Sequence, residues 1–211
     1  MNQELIKRIL SSIILIPIAL FFIIKGSFLF IFFIGICFAI IVYEWHMMRK
    51  KKKYYFLGLL FLFFSFLTIY ELRFHSSSDY IILLIITIIC VATDIGGYIF
   101  GKLFKGPKLT KLSPNKTYAG MIGGFFLSLI FLSFSLQYFE MTFTINWLFF
   151  ALLVSSVSQL GDIIISYFKR LSKIKDTGKI IPGHGGLLDR VDGMIFAFPF
   201  SYIAILLGVL S

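Results

Sequence analysis

The sequence predicts an all-α integral membrane protein, a polytopic bundle of about seven transmembrane helices with a cytoplasm-facing polar cavity. Of its 211 residues 59% are hydrophobic and only 14% charged, against roughly 25% charged in an ordinary soluble domain, which excludes a soluble globular fold. Apolar runs of about 20 residues recur with short polar connections, and each is long enough to cross a hydrocarbon core of roughly 30 Å. Lys and Arg fall almost entirely into alternate connections, the asymmetry of loops retained on the cytoplasmic side.

Seven spans are expected at residues 9 to 24, 28 to 45, 54 to 71, 80 to 100, 118 to 137, 144 to 167 and 194 to 210. Lys7 and Arg8 precede the first as in a signal peptide, but no small-residue cleavage pattern follows, so it reads as an uncleaved first helix. Of the 20 Lys and Arg residues, this placement leaves only Lys25 and Arg73 on the far side. The N-terminus is therefore expected inside and the C-terminus outside. The net charge of +10 suits anionic headgroups, nucleotides or phosphates alike and does not choose among them. Cys37 and Cys90 lie inside apolar runs without CxxC spacing and read as packing residues. Abundant Phe, Ile and Lys point to an AT-biased genome, and a bacterial source with a bacterial inner membrane is the expectation taken from that.

The chain reads as one transmembrane domain, with residues 1–79 as scaffold and 80–211 carrying the polar spans and loops. The first three spans show Phe and Ile on every face, read as lipid-facing, and receive no chemistry. In the fourth, Thr87, Cys90, Asp94, Gly97 and Gly101 recur at steps of three or four and share one face. An aspartate deep in a span costs roughly 2.5 to 3.5 kcal/mol on insertion scales, so Asp94 should face a cavity or a partner, unless it snorkels to the interface. Gly120 and Gly124 in the fifth span allow close approach of another helix. The sixth carries the longest polar stripe: Ser155, Gln159, Asp162, Ser166, Lys169 and Lys173.

Two loops hold candidate chemistry. Ser113 followed by Pro114 reads as an N-cap and first helical residue, which would place Lys116 and Thr117 on a first turn able to cradle phosphate. A capped helix with a solvated lysine is the alternative. The sixth loop runs Lys175, Asp176, Thr177, Gly178, then Pro182, Gly183, His184, Gly185, Gly186, and ends in Asp189, Arg190 and Asp192. Its glycines allow tight turns and close approach of N–H groups to phosphate. If a helix starts after Gly186, Asp189 and Asp192 share a face where carboxylates could hold magnesium, with Asp162 completing the site; a surface ion-pair cluster is the alternative. The spacing of His184 fits no metal pair, which leaves it hydrogen bonding or substrate contact.

These residues carry a family resemblance. The stretch from Ser166, Lys169 and Arg170 through Lys175, Asp176 and Gly178, then Pro182, His184, Gly185 and Gly186, to Asp189, Arg190 and Asp192, resembles the signature of phosphatidate cytidylyltransferases, the CDP-diacylglycerol synthases. Gly161-Asp162, the Ser113 to Thr117 segment, and Asp94 with Tyr98 and Gly101 resemble further motifs of that family, so that roughly residues 90 to 195 are covered. Ala119 and Ile165 stand where that family is expected to show glutamates, and no acid role can be assigned there. The short chain suggests that spans found in longer relatives are missing.

The resemblance implies a magnesium-dependent nucleotidyltransferase of phospholipid biosynthesis, turning CTP and phosphatidate into CDP-diacylglycerol and pyrophosphate at the bilayer. It implies no nucleic-acid partner and leaves a homodimer open. It puts Asp162, Asp189, Lys169, Arg170 and Asp192 in catalysis, with Asp162 and Asp189 as metal ligands. Substrate contacts would come from Ser113, Lys116, Thr117, Ser166, Lys175, Asp176, His184, Gly185, Gly186, Arg190 and Asp94. A CTP-dependent polyprenol or phytol kinase would need a similar apparatus, and an anion transporter would use Asp94 and Asp162 to mark its pathway.

Overall fold

The computed structural model describes residues 3–48, 54–74, 80–110, 113, 116–178, 180–181 and 185–210, the side chains of 3–13 excepted. Eight helices follow in order: α1 Gln3–Lys25, α2 Ser27–Met47, α3 Tyr55–Phe74, α4 Ile81–Phe104, α5 Tyr118–Tyr138, α6 Ile145–Leu171, α7 Leu188–Val191 and α8 Met194–Leu206. Among the described residues there is no strand, only isolated bridges pairing Lys108 with Thr117 and Ile181 with Gly185.

The helices α2 to α6 are each long and apolar enough to cross a membrane. Shorter apolar helical segments are contributed by Ile14–Lys25 of α1 and by α8. The expected last span is the one that differs most. Helix α8 has 13 residues, about 20 Å at 1.5 Å per residue, and residues 207–210 continue only as turn. The chain is a multi-pass helical membrane protein, and large side chains such as Phe28, Phe32, Phe56 and Leu60 cover its outside, as the apolar environment of lipid permits.

The bundle closes around α6. Phe150, Ala151 and Val154 on α6 meet Ile85, Ile86 and Ile89 on α4 and Ala197 on α8 in one cluster, all fully buried. Helices α4 and α5 approach through glycine: a Cβ on Gly120 would lie 2.7 Å from the Gly97 carbonyl oxygen, and one on Gly124 3.0 Å from that of Thr93. The close approach expected of Gly120 and Gly124 is thus made with the face of α4 adjoining Asp94.

Arg73 has a structural task. Its guanidinium donates to the Ile23 carbonyl at 2.8 Å and that of Ile24 at 3.2 Å, and it lies 5.6 Å from the Tyr80 ring centroid. It thereby satisfies the orphan carbonyls of the last turn of α1 beside the sharp Gly26 turn.

Candidate active site

The α6 stripe points inward for most of its length. Thr93 on α4 donates to Ser155 at 2.8 Å, and one turn on the Gln159 amide reaches Ser155 and the Met121 carbonyl, both at 3.5 Å. At the next turn Lys116 Nζ lies 2.5 Å from Asp162 Oδ2, while Ser166 donates to Asp162 Oδ1 at 3.3 Å. Seven residues beyond Asp162, on the same face, Lys169 Nζ lies 2.9 Å from Asp189 Oδ1. Two lysine–carboxylate pairs thus stack along α6, with Lys116 supplied by the loop before α5 and Asp189 by α7.

Asp189 is the more enclosed. Its Oδ2 accepts from the Thr177 N–H at 2.8 Å and from the Thr177 hydroxyl and the Gly186 N–H, each at 3.0 Å. Burial alone would raise its carboxyl; the bond from Lys169 and the two backbone donors outweigh that and hold it below the usual carboxylate range. The loop is shaped to deliver those donors. Ile181 and Gly185 exchange two backbone hydrogen bonds, 2.9 and 3.2 Å, across a tight turn, and Gly185 takes φ +86°, a conformation that suits glycine. A Cβ there would sit 2.9 Å from Asp189 Oδ2.

Asp192 ends α7, and its carboxylate accepts from the Gly193 N–H at 2.9 Å. Burial lifts its carboxyl well above the usual range and the negative charge of Asp162 adds to the shift, with Lys169 acting against it. Asp94, exposed on α4, lies within electrostatic reach of Asp162, Lys116 and Arg190. Arg190 projects from the exposed side of α7.

Other expected site residues are placed elsewhere. Helix α5 starts at Tyr118, and its N-cap is Thr117, whose hydroxyl accepts from the Gly120 N–H at 3.1 Å. Ser113 is therefore not the cap. Its carbonyl accepts from the Lys116 N–H at 3.0 Å in a turn, and the extended backbone of Thr117, φ −120° and ψ 158°, is what lets that residue cap instead. Pro114 and Asn115 lie outside the described residues. Arg170 is exposed and donates to the Ile174 carbonyl at 3.3 Å, in the turn that follows α6. Lys173, Lys175 and Asp176 are exposed as well. His184, with Pro182 and Gly183, lies outside the described residues. Ile165, at 3% exposure, packs with Trp45, Leu62 and Leu188, an apolar setting unsuited to a carboxylate.

Sequence reading passed over Glu44 of α2, which is 1% exposed and turned toward the same loop. The signal was available, since an ionisable residue inside an apolar span is a functional candidate by default.

Among the described residues no three His, Cys, Asp or Glu side chains converge closely enough to hold a metal ion. Asp162, Asp189 and Asp192 therefore do not form the three-carboxylate site the sequence suggested, and magnesium would rest instead on one or two carboxylates plus substrate phosphates. Asp162, held among the described residues by Lys116 and by a long bond from Ser166, fits such a role. Asp189 would join by exchanging Lys169 for the ion.

A cavity of about 1430 Å³ lies beside this polar cluster. It is an apolar space bordered by α1, α2, α4 and α5, and it reaches the cluster at Arg190 and Leu187.

A multi-pass helical bundle with stacked lysine–carboxylate pairs at one end, next to a lipid-sized apolar cavity, defines a membrane-embedded protein suited to anionic ligands. A family model described as the cytidylyltransferase family matches residues 6–90 and 55–207. The chain belongs to that family. It is 45% identical over 118 residues to a phosphatidate cytidylyltransferase of Staphylococcus aureus (strain COL), a match covering 54% of this chain and 45% of the relative. A phosphatidate cytidylyltransferase of Staphylococcus saprophyticus is 38% identical over 145 residues, 67% of this chain and 54% of the relative. One of Brucella suis biovar 1 is 35% identical over 183 residues, 85% of this chain and 66% of the relative. The chain spans about half the length of the Staphylococcus relatives it matches.

Proposed function

We propose that the protein is a phosphatidate cytidylyltransferase, joining CTP and phosphatidate into CDP-diacylglycerol with release of pyrophosphate. The observation that carries this reading, in a chain of the cytidylyltransferase family, is the pair of lysine–carboxylate contacts on one face of α6, Lys116 with Asp162 and Lys169 with Asp189. Each pair can open to two ligands at once, because a phosphate competes for the lysine and a hard cation for the carboxylate.

In the proposed reaction an oxygen of the lipid phosphate attacks the α-phosphorus of CTP, the bond to the β-phosphate oxygen breaks, and pyrophosphate leaves with that electron pair. No protein nucleophile is required. The chain brings two anions together and offsets the charge that gathers on the leaving group, with Lys116, Lys169 and Arg190 as the cations at hand. Magnesium, held by Asp162 and in the open form of the second pair by Asp189, would supply Lewis-acid neutralisation of the phosphate oxygens. The acyl chains of the lipid would lie in the apolar cavity and present the phosphate at Arg190. The basic loops support a cytoplasmic orientation of this end in a bacterial inner membrane.

The test follows phosphorus. Purified protein receives phosphatidate, magnesium and CTP labelled either at the α- or at the γ-phosphate. Label retained in the lipid from the α position, and absent from the γ position, is the expected result. Transfer of γ-label to a lipid alcohol would identify a kinase, and no labelled lipid at all would overturn the reading.

A further inference from the structure

We infer that Glu44, on scaffold helix α2, is a positioning residue that holds the Asp189 loop in its working geometry. Its carboxylate is an acceptor for three donors of that loop: Oε1 takes the Leu187 N–H at 2.8 Å, and Oε2 takes the Leu188 N–H at 2.8 Å and the Thr177 hydroxyl at 3.0 Å. The donors come from both limbs of the loop, 133 to 144 residues further along the chain. Helix α7 begins at Leu188 without a cap from the Leu187 side chain, so Glu44 supplies from another helix what the local sequence lacks.

The same carboxylate is linked to the site through one hydroxyl. Thr177 Oγ1 lies 3.0 Å from Glu44 Oε2 and also 3.0 Å from Asp189 Oδ2. A hydroxyl has one proton to give, so the two carboxylates share it, and the remaining backbone donors divide between them: Thr177 and Gly186 to Asp189, Leu187 and Leu188 to Glu44. The loop is thereby laced between two carboxylates. Space confirms the fit. A Cβ on Gly178 would lie 2.8 Å from Glu44 Oε1 and one on Gly186 2.6 Å from Oε2, so these glycines admit Glu44 in addition to any role toward phosphate.

A plain anchor for α2 would need none of this. The inner end of α2 is tied independently by Ser172, whose hydroxyl donates to the Met48 carbonyl at 2.6 Å, and by the Trp45 and Phe168 rings with centroids 5.2 Å apart. What Glu44 adds is directed at the residues around Asp189.

The test rests on the proposed reaction for one readout and is independent of it for the other. Glu44→Gln in the full chain, purified in detergent, is expected to lower kcat about tenfold or more with a smaller change in KM for CTP. Hydrogen exchange at the Leu187 and Leu188 amides should accelerate at least tenfold while α4 and α6 keep their protection. Thr177→Val removes only the shared hydroxyl and should lower kcat severalfold with the spans unaltered. If wild-type protein makes no CDP-diacylglycerol yet Glu44→Gln loses protection at 187 and 188, the proposed function fails and the loop contact stands. If wild type is active, then unchanged kcat in Glu44→Gln overturns the inference. So does loss of protection throughout α4 and α6, which would make Glu44 a general fold determinant.

Discussion

Lys169 and Asp189, on α6 and α7, meet at 2.9 Å with their side chains only 11% and 5% exposed. Removing one member of so enclosed a pair strands the other. Asp189→Asn should cost about 3 kcal/mol or more of stability, in addition to any loss of activity. The pH dependence has a definite sign. The folded carboxyl lies below its ordinary value, so its contribution is complete above the ordinary range and disappears as pH falls through the lowered value. The difference in melting temperature between wild type and Asp189→Asn should be flat above about pH 5 and shrink toward zero in stronger acid. A difference that grows on acidification would contradict the assigned pairing.

Lys116 reaches Asp162 from the loop before α5, so truncating it removes a candidate phosphate contact without touching a span. Lys116→Ala should lower kcat/KM by at least about tenfold while the protein inserts and melts normally. Steady-state kinetics over ranges of CTP and phosphatidate would measure this, and wild-type constants would return the lysine to a partner of Asp162 alone.

Asp162 and Asp189 have separate partners in this structure, yet the proposed magnesium role makes them act in one step. Asp162→Asn and Asp189→Asn should each raise the magnesium concentration needed for half-maximal activity, and the double variant should be scarcely worse than either. Multiplicative losses with an unaltered magnesium dependence would dissolve the shared role and leave two independent ion pairs.

The cap of α5 separates the sequence-based expectation from the structure. Thr117→Ala removes the hydroxyl that accepts from Gly120 and should destabilise by about 1 kcal/mol, whereas Ser113→Ala should change little. Equal effects in thermal or denaturant melts would restore Ser113 as a cap.

Orientation is accessible to labelling after Cys37 and Cys90 are replaced. A cysteine introduced at exposed Lys102 should react only from the cytoplasmic side, and one at exposed Thr142 only from the opposite side. Reaction of both from one face of sealed vesicles would break the proposed topology, and reaction from exchanged faces would invert it.

The sequence by itself determined the membrane class, the approximate spans and the polar stripe of α6, because each depends on local quantities: length of an apolar run, period of a helix, sign of a loop's charge. It also marked Asp94, Asp162, Asp189 and Asp192 as the acids that gather at one end. Only the tertiary structure decided who pairs with whom. The transfer of the α5 cap to Thr117 depends on how the chain turns back beside residues 107–109, with the Leu109 N–H donating to the Lys116 carbonyl at 2.7 Å. The outward turn of Arg170 depends on which side of the last turn of α6 faces the bundle. Glu44 shows the limit most clearly. Its partners lie more than a hundred residues away in the chain, and a lone acid in an apolar run acquires meaning only when folding brings unpaired backbone N–H groups against it.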